Sequence, residues 1–486
     1  MGFGNSIQIG SGLGSGHVQA VPAYPQSVDF PRWYQDVIAR AELADNGPVR
    51  GTMVIRPTGY ALWERMQREV DNRIMAVGGQ NAYFPLFIPE SYLKREADHV
   101  EGFSPELAVV THAGGKQLEE PVVVRPTSET IINSFFSRWV QSYRDLPMKL
   151  NNWSNVVRWE MRPRVFLRTT EFLWQEGHTC HATEAEARAH AREVLDDVYG
   201  AFMTDVLAMP VVKGLKTARE RFAGATNTLT CEAMMRDGKA LQMGTSHELG
   251  QNFARAFDVR YLAASGQREY VWQTSWGVST RMVGGLIMCH GDDAGLRVPP
   301  RLAPVQAIVL VVKDDPEVRA RAHQVVDELR DAGVRAELDE QTDVSFGRRA
   351  IDAELKGIPI RIELGPRDVT AGKAVLVRRI PGTKEPVALT ALVPEAKTAL
   401  DADQQALYDQ ALARREAASP HVESIEQALE AAAHGWARLA WSALGEQGEA
   451  QLTEHAVTVR CLTRADGTLP DSCAEPDLIA WIGRSY

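Results

Sequence analysis

Residues 168–179 read RTTEFLWQEGHT, from Arg168 to Thr179. In an extended chain successive side chains point to opposite faces, so Arg168 and Trp174 share one face and Glu171 takes the other. A strand in which every other side chain can hydrogen-bond is a poor core. It suits the wall of a pocket for a ligand that has both phosphates and an amino group, and a solvated hairpin with a satisfied salt bridge is the simpler alternative. Upstream, 150–160 and 164–174 read as two strands joined by the basic turn Arg162-Pro163-Arg164. Such a hairpin presents Arg158 and Arg168 to one cleft, and arginine forks match carboxylate and phosphate geometry.

Outward from the hairpin, PTSET (126–130) follows a β-like run and opens the helical run IINSFFSRWV. Thr127 and Glu129 can serve as helix cap and first-turn acid. They also stand where a sheet edge opens into a cleft. The segment 181–208 reads as one long helix, with His181 and His190 on its surface and without metal-ligand spacing. Gly244-Thr-Ser-His247 reads as a sharp turn. The segment from Tyr270 begins as a strand with Gln273 and Trp276 and continues into a helix with Arg281 in its first turn. A cation there is unfavourable unless an anion occupies the site.

Further from the hairpin the chain divides. Residues 1–20 are Gly- and Ser-rich and expected to be disordered; 21–298 holds the segments above. After the prolines at 299, 300 and 304 comes a βαβ pattern over 299–400: strands 305–312, 334–340, 358–365 and 373–379, with helices 316–332 and 346–356. No GxGxxG follows its first strand, which disfavours a dinucleotide fold. Residues 401–446 read as helical, and 456–486 as a small final unit.

The chain has 486 residues, too many for one core, so two or three domains are expected. No apolar run approaches the ~18 residues of a membrane span, and no basic segment followed by an apolar core opens the sequence, so a secretory signal is not expected. Five scattered cysteines fit a reducing cytoplasm. The formal charge of −10 argues against a general nucleic-acid coat. Yet Ser345 to Arg379 carries eight Lys/Arg against four Asp/Glu, a local basic patch. Serine-hydrolase, kinase and P-loop signatures are absent. From the residues alone, a ligase using ATP or a carboxylate is the furthest defensible reading.

Several segments, in order, resemble the class II aminoacyl-tRNA synthetases, and among them the prolyl-tRNA synthetase family of archaeal and eukaryotic type. The first class II signature is matched by GYALWERMQREVDNRIMAVGGQNAYFPLFIP, the second by FLRTTEFLWQEGHT and the third by GVSTRMVGGLIMCHGDDAGLRVPP. PTSET and QMGTSHELGQNF resemble hallmarks of the proline enzymes. The resemblance implies an α/β protein: an antiparallel class II sheet with helices (α+β core), an α/β anticodon-binding domain at 299–400 and a small α/β carboxy-terminal domain at 401–486.

It also implies roles. Arg168 would hold the ATP α-phosphate, Glu171 the adenine end, Arg281 the triphosphate tail, and Gln273 would reach the ribose or aminoacyl carbonyl. Thr127 and Glu129 would grip the prolyl imino group and Arg158 its carboxylate. Trp174, Glu176 and His178 would line the proline pocket, and Ser246 and His247 would close it. Arg348, Arg349, Lys356 and Arg367 would meet tRNA. ATP and Mg²⁺ are implied, as is a homodimer through the first signature. Relatives of this type often bind zinc through four cysteines in the last domain. Only Cys461 and Cys473 are present here, which argues against that zinc, while the terminal Tyr486 is kept. The short 180–240 segment leaves no room for an editing insertion, so misactivated cysteine or alanine would go unedited in cis. A paralogue that charges no tRNA and a non-catalytic RNA-binding protein are the alternatives.

Overall fold

The computed structural model describes residues 24–97 and 107–486; the expectation of disorder for residues 1–20 lies outside them. Two amphipathic helices open the described chain. Helix α1 (Phe30–Arg40) is capped by Asp29, whose side chain accepts the Arg32 N–H, and α2 (Pro57–Ala76) starts on a proline. Proline has no N–H to lose at a first helical position. Trp33, Val37, Leu62, Met66, Val70 and Ile74 recur at helical spacing and are buried in the main core. The stretch NAYFPLFIP (81–89) does not form one strand: Gln80–Asn81 and Phe87–Pro89 pair with different partners, and Pro85 lies between them.

Helix α3 (Glu129–Trp139) leads to strand β1 (Met148–Val157), which pairs antiparallel with β2 (Glu171–His181). The second strand thus starts seven residues later than the expected 164–174. Residues 164–168 instead form a tight turn closed by reciprocal main-chain hydrogen bonds between Arg164 and Arg168, with Phe166 at φ 62°. Helix α4 (Glu184–Glu193) begins on a Thr183/Glu186 capping box and widens into π-helical turns at Val194–Gly200 and Phe202–Val206. Then come β3 (Val212–Leu215), β4 (Asn227–Met234), β5 (Ala240–Gly250), β6 (Trp272–Ser279) and helix α5 (Arg281–His290).

The α/β unit follows with β7 (Ala307–Val311), α6 (Pro316–Asp331), β8 (Ala336–Asp339), α7 (Phe346–Leu355), β9 (Ile360–Leu364), β10 (Lys373–Arg378) and β11 (Lys384–Ala388). Strands β8, β7 and β9 are parallel; β10 and β11 add antiparallel at the edge. Helix α8 (Leu392–Ala417) runs unbroken through 400/401. Its first half, with Leu392, Ala396 and Leu400, packs on the α/β unit, while Ala411 packs on the main core. Bidentate bonds from Arg379 to Asp292, at 2.9 and 2.5 Å, fasten the unit to the body.

Residues 401–446 are not all helical. Strand β12 (Trp436–Ala440) interrupts them before α9 (Trp441–Glu454), because Trp436 and Leu439 are needed as core side chains. With β13 (Thr458–Thr463) and β14 (Ile479–Gly483), β12 does not stand apart. The strands extend the main sheet to ten, in the order β12-β14-β13-β3-β4-β5-β6-β2-β1 with Gln80–Asn81 at the end. The join is at Leu462 opposite Leu215, where Gly214 leaves no room for a Cβ against Cys461. The carboxy-terminal unit is therefore built onto the same sheet that carries the site.

Candidate active site

Strand register assembles the site. On one face of the sheet His178, Ser275, His247 and Thr228 lie opposite one another across β2, β6, β5 and β4. One step along, Glu176, Gly277 and Thr245 form a second row. These rows, with α3 and the 217–226 loop, enclose a cavity of about 360 Å³. Gly177 keeps the opposite face flush: a Cβ there would lie 2.2 Å from the Trp276 ring.

One end of the cavity is anionic. Glu176 is buried, and its Oε2 accepts the main-chain N–H of Ser128 at 3.1 Å and the Thr127 hydroxyl at 3.5 Å. The same oxygen lies 3.2 Å from His178 Nε2, while Asn152 donates to Oε1 at 3.1 Å. Burial pushes the Glu176 carboxyl up, but the bonds and charge of His178 and the Ser128 contacts outweigh it and hold the group below its ordinary range. Ser128, the N-cap of α3, makes no cap bond with its own side chain. The strand carboxylate therefore takes the anionic position at the helix N-terminus.

Arg158 stands between the two ends. Its Nε donates to the Pro126 carbonyl at 2.9 Å, and the guanidinium lies 5.1 Å from the centre of the Trp174 ring and 5.7 Å from that of Phe172. Surrounding protein draws its pKa down, and the carboxylates of Glu176 and Glu129 oppose that shift. Beyond it the cavity turns cationic. Arg158, Arg168, Phe172, Ser279 and Arg281 line an adjoining recess of about 180 Å³. Burial and the like charges of Arg168 and Arg158 pull the Arg281 guanidinium down to about 10. Clustered cations at the first residue of α5 make a standing electrostatic cost that a bound anion relieves. Arg168 Nη2 meanwhile donates to the main-chain oxygen of the terminal Tyr486 at 3.4 Å.

His247 is held as the neutral imidazole. Thr228 and Thr245 hydroxyls meet its two ring nitrogens at 3.0 and 3.2 Å, and Phe222 stacks 4.6 Å away. Burial, with some help from His178, pushes its pKa down to about 3.

The structure thus brings Thr127, Glu129, Arg158, Trp174, Glu176, His178, His247 and Arg281 into one cavity, with Arg168 in the recess beside it. Three expected members are elsewhere. Gly244 to His247 is not a turn but the middle of β5, so alternation points Ser246 to the far face, where its hydroxyl donates to the Ala191 carbonyl of α4 at 2.8 Å. Gln273 lies under α3, donating to Asn133 Oδ1 at 2.8 Å, outside the cavity wall. Glu171, at the exposed start of β2, accepts from Asn155 at 2.8 Å and lines neither space. Conversely Gln242, Thr245, Ser275, Ser279, Phe222 and Thr228 line the cavity without having been singled out. Reading β5 as a strand would have flagged Thr245 by alternation with His247, but not Gln242, which a register shift between Gly244 and Gln242 brings out of step.

Away from the cavity, Arg349 is buried and donates to the Val311 and Asp339 carbonyls, which removes it from the expected RNA footprint. Lys356 pairs with Asp352 at 2.8 Å and Glu42 at 3.4 Å, facing the body; Arg348 and Arg367 remain exposed. His181 and His190, expected on the surface, are buried with ring centres 5.4 Å apart, because α4 packs on β5 and β6. Among the described residues no group of three or more His, Cys, Asp or Glu could hold a metal ion. Cys461 is buried in β13, and Cys473 lies 3.5 Å from the Lys216 carbonyl. No helix of the described residues is long and apolar enough to cross a membrane.

Comparison with known proteins agrees with the geometry. Residues 112–289 match the tRNA synthetase class II core domain (G, H, P, S and T), and 306–398 match the anticodon binding domain. The chain is 64% identical over 463 residues to proline–tRNA ligase 2 of Streptomyces avermitilis, covering 95% of this chain and 98% of the relative. It is 63% identical to proline–tRNA ligase of Frankia casuarinae, covering 95% and 99%. The crystal structure of prolyl-tRNA synthetase from Cryptosporidium parvum complexed with halofuginone and AMPPNP superposes with TM-score 0.89 at 35% identity, covering 96% of this chain and all of that one. By fold, site and sequence, this chain belongs to the proline–tRNA ligase family of class II aminoacyl-tRNA synthetases.

Proposed function

We propose that this protein activates L-proline with ATP to prolyl-adenylate and pyrophosphate, then transfers proline to the 3′ end of tRNA(Pro). The observation that carries this is the polarity of the site, with Glu129, Glu176 and Thr127 at one end of the cavity, Arg158 between, and Arg281 at the other end with Arg168 in the adjoining recess. A secondary ammonium seats at the first end beside Glu129 and Thr127, with Glu176 fixing the Thr127 hydroxyl. Arg158 takes the proline carboxylate. A carboxylate oxygen attacks the ATP α-phosphorus in line, the bond to pyrophosphate breaks, and Arg168 and Arg281 hold the charge on the phosphates through the transition state. The terminal adenosine hydroxyl of the tRNA then attacks the activated carbonyl, and AMP leaves.

Neither step requires a protein nucleophile. The nucleotide is the magnesium complex of ATP, the ion serving to neutralise phosphate charge. Trp174, His178 and neutral His247 shape the proline side of the cavity. Arg348 and Arg367 supply part of a tRNA contact on the α/β unit. The protein works in the cytoplasm as a homodimer through the 59–89 segment, where Tyr60, Tyr83 and Phe87 are exposed apolar side chains. Between β2 and β5 the described chain holds α4, the π-helical turns, β3 and β4, with no inserted domain. Missing methylenes cost only about 10–200-fold in discrimination. Adenylates of cysteine or alanine therefore form and are not cleared in cis; prompt deacylation of Ala-tRNA(Pro) by the purified protein would contradict this. Proline-dependent pyrophosphate exchange, with charging of tRNA(Pro), tests the reading.

A further inference from the structure

Between β3 and β4 the wall of the cavity is an irregular stretch, residues 216–226, whose Glu220 and Phe222 line the space. Its second half is held by β4, β5 and Asn252 just beyond β5. Phe222 donates its main-chain N–H to the Thr228 hydroxyl at 3.0 Å and packs its ring on His247. The Thr226 N–H meets the Glu248 carbonyl at 2.7 Å, and Asn252 donates to the Gly224 carbonyl at 2.9 Å.

The first half is held from the carboxy-terminal unit. Thr217, 1% exposed, donates its hydroxyl to Oε1 of Glu449 at 2.6 Å. Glu449 stands on α9, 232 residues further along the chain, and is 2% exposed. From the connection between β13 and β14, the Cys473 thiol donates to the Lys216 carbonyl at 3.5 Å. The Thr217 oxygen also accepts the main-chain N–H of Glu220 at 3.4 Å. Two hydrogen bonds in series thus run from a buried carboxylate of the carboxy-terminal unit to a residue of the cavity wall. A hydroxyl can serve both, donating one way and accepting the other. The seam between the units is fastened without this bond, by Leu462 opposite Leu215 and by Arg460 bonded to Glu232 at 3.0 and 3.1 Å. What the Thr217–Glu449 bond adds is a fixed place for the start of the wall.

We propose that Thr217 and Glu449 are positioning residues for the proline side of the cavity, through which the carboxy-terminal unit sets the wall carrying Glu220 and Phe222. This rests on the assignment of proline to the side shaped by His178 and His247. Neither residue touches substrate; both act through the two wall residues.

Thr217→Val removes both bonds with little change of shape, and Thr217→Ser keeps them. Glu449→Met removes the acceptor, and Glu449→Gln keeps one. Hydrogen exchange followed by mass spectrometry on the unliganded protein reads the 216–226 amides directly. Pyrophosphate exchange gives proline and ATP KM, and thermal melting shows which variants fold. Losing one hydrogen bond is worth about five- to tenfold. Thr217→Val and Glu449→Met are each expected to raise proline KM by about five- to tenfold, with ATP KM within about twofold. Amide exchange in 216–226 should quicken by a similar factor, while Thr217→Ser and Glu449→Gln stay near wild type. Each disruptive single variant leaves a buried polar partner unmatched and should melt lower; the double variant Thr217→Val/Glu449→Met leaves an apolar pair. Its melting temperature should therefore recover while its proline KM stays raised. A double variant whose proline KM recovers along with its melting temperature would make the bond merely structural and overturn the proposal. Unchanged proline KM or unchanged 216–226 exchange in Thr217→Val overturns it too, as do equal rises in both KM values. If Glu449→Met does not fold, Thr217→Val against Thr217→Ser decides. A wild-type protein that exchanges pyrophosphate with no amino acid would refute the proline reading, and amide exchange would still decide whether Glu449 anchors the wall.

Discussion

Glu176 on strand β2 caps helix α3: its carboxylate accepts the Ser128 N–H at 3.1 Å, across 48 residues of sequence. The bond joins the two walls of the anionic end, so the position of Thr127 and Glu129 depends on a residue of the sheet. The carboxyl is held below its ordinary 4.5. A depressed folded pKa contributes stability that is present above the unfolded value and lost as pH falls through the folded one. Glu176→Gln is expected to cost about 1–3 kcal/mol at pH 7. In urea unfolding of both proteins, the gap should shrink below pH 4.5. A gap that does not change with pH would mean the charge is not what stabilises the cap.

Glu129 sits at the first position of α3, and its charge acts on Arg158. Glu129→Gln should raise the proline KM by about 10–100-fold, as expected for losing a charge-assisted bond, with ATP KM within about twofold. Steady-state exchange kinetics check this. Equal rises in both constants would contradict the assignment.

Arg281 combines high functional value with poor local stability, since burial and two neighbouring guanidiniums draw its pKa to about 10. Arg281→Met should slow adenylate formation by about 10²–10³-fold, the size of losing a donor aimed at developing charge. The melting temperature should stay level or rise, because an unfavourable cation has been removed. Single-turnover kinetics and calorimetry read the two effects. A normal rate with a lowered melting temperature would make Arg281 structural.

Acid sensitivity should begin well above the carboxylate range. His181, His190 and His290 are buried, and burial is the first cause that holds each pKa at about 3. The unfolded chain protonates these rings below its ordinary 6.5 while the folded chain does not, so stability falls as pH drops from 6.5 toward 3. Each fully titrating ring contributes about 1.4 kcal/mol per pH unit. Urea unfolding at pH 7.5, 6.5 and 5.5 should show stability dropping more steeply over the lower interval, and a flat profile would refute the burial account.

Legibility of the sequence followed the physics of each segment. The α/β unit was readable almost strand by strand, because short β-branched runs alternate with amphipathic helices of ordinary length. Strand β11 (Lys384–Ala388) was not, being a polar edge strand with nothing buried to mark it. The hairpin was recognised, but its second strand was placed too early: the alternation of hydrogen-bonding side chains continues back through a turn that Phe166 makes in the left-handed region. Small and polar residues made GTSH look like a turn, when polar side chains in β5 face a cavity instead of solvent. Arg349 and Lys356 show the limit of reading charge alone. Both belong to a basic run, yet Arg349 is engaged by the Val311 carbonyl and Lys356 by Glu42, partners that only the fold brings near. Glu171 and Gln273 carried suitable chemistry, and their side chains are directed elsewhere.

The most direct test of the central claim is pyrophosphate exchange with each of the twenty amino acids, followed by charging of tRNA(Pro). The account predicts exchange that depends on proline, weak exchange with alanine or cysteine, and stable prolyl-tRNA(Pro). Exchange with proline but no charging would keep the cavity assignment and remove the transfer step. No exchange with any amino acid would contradict the account.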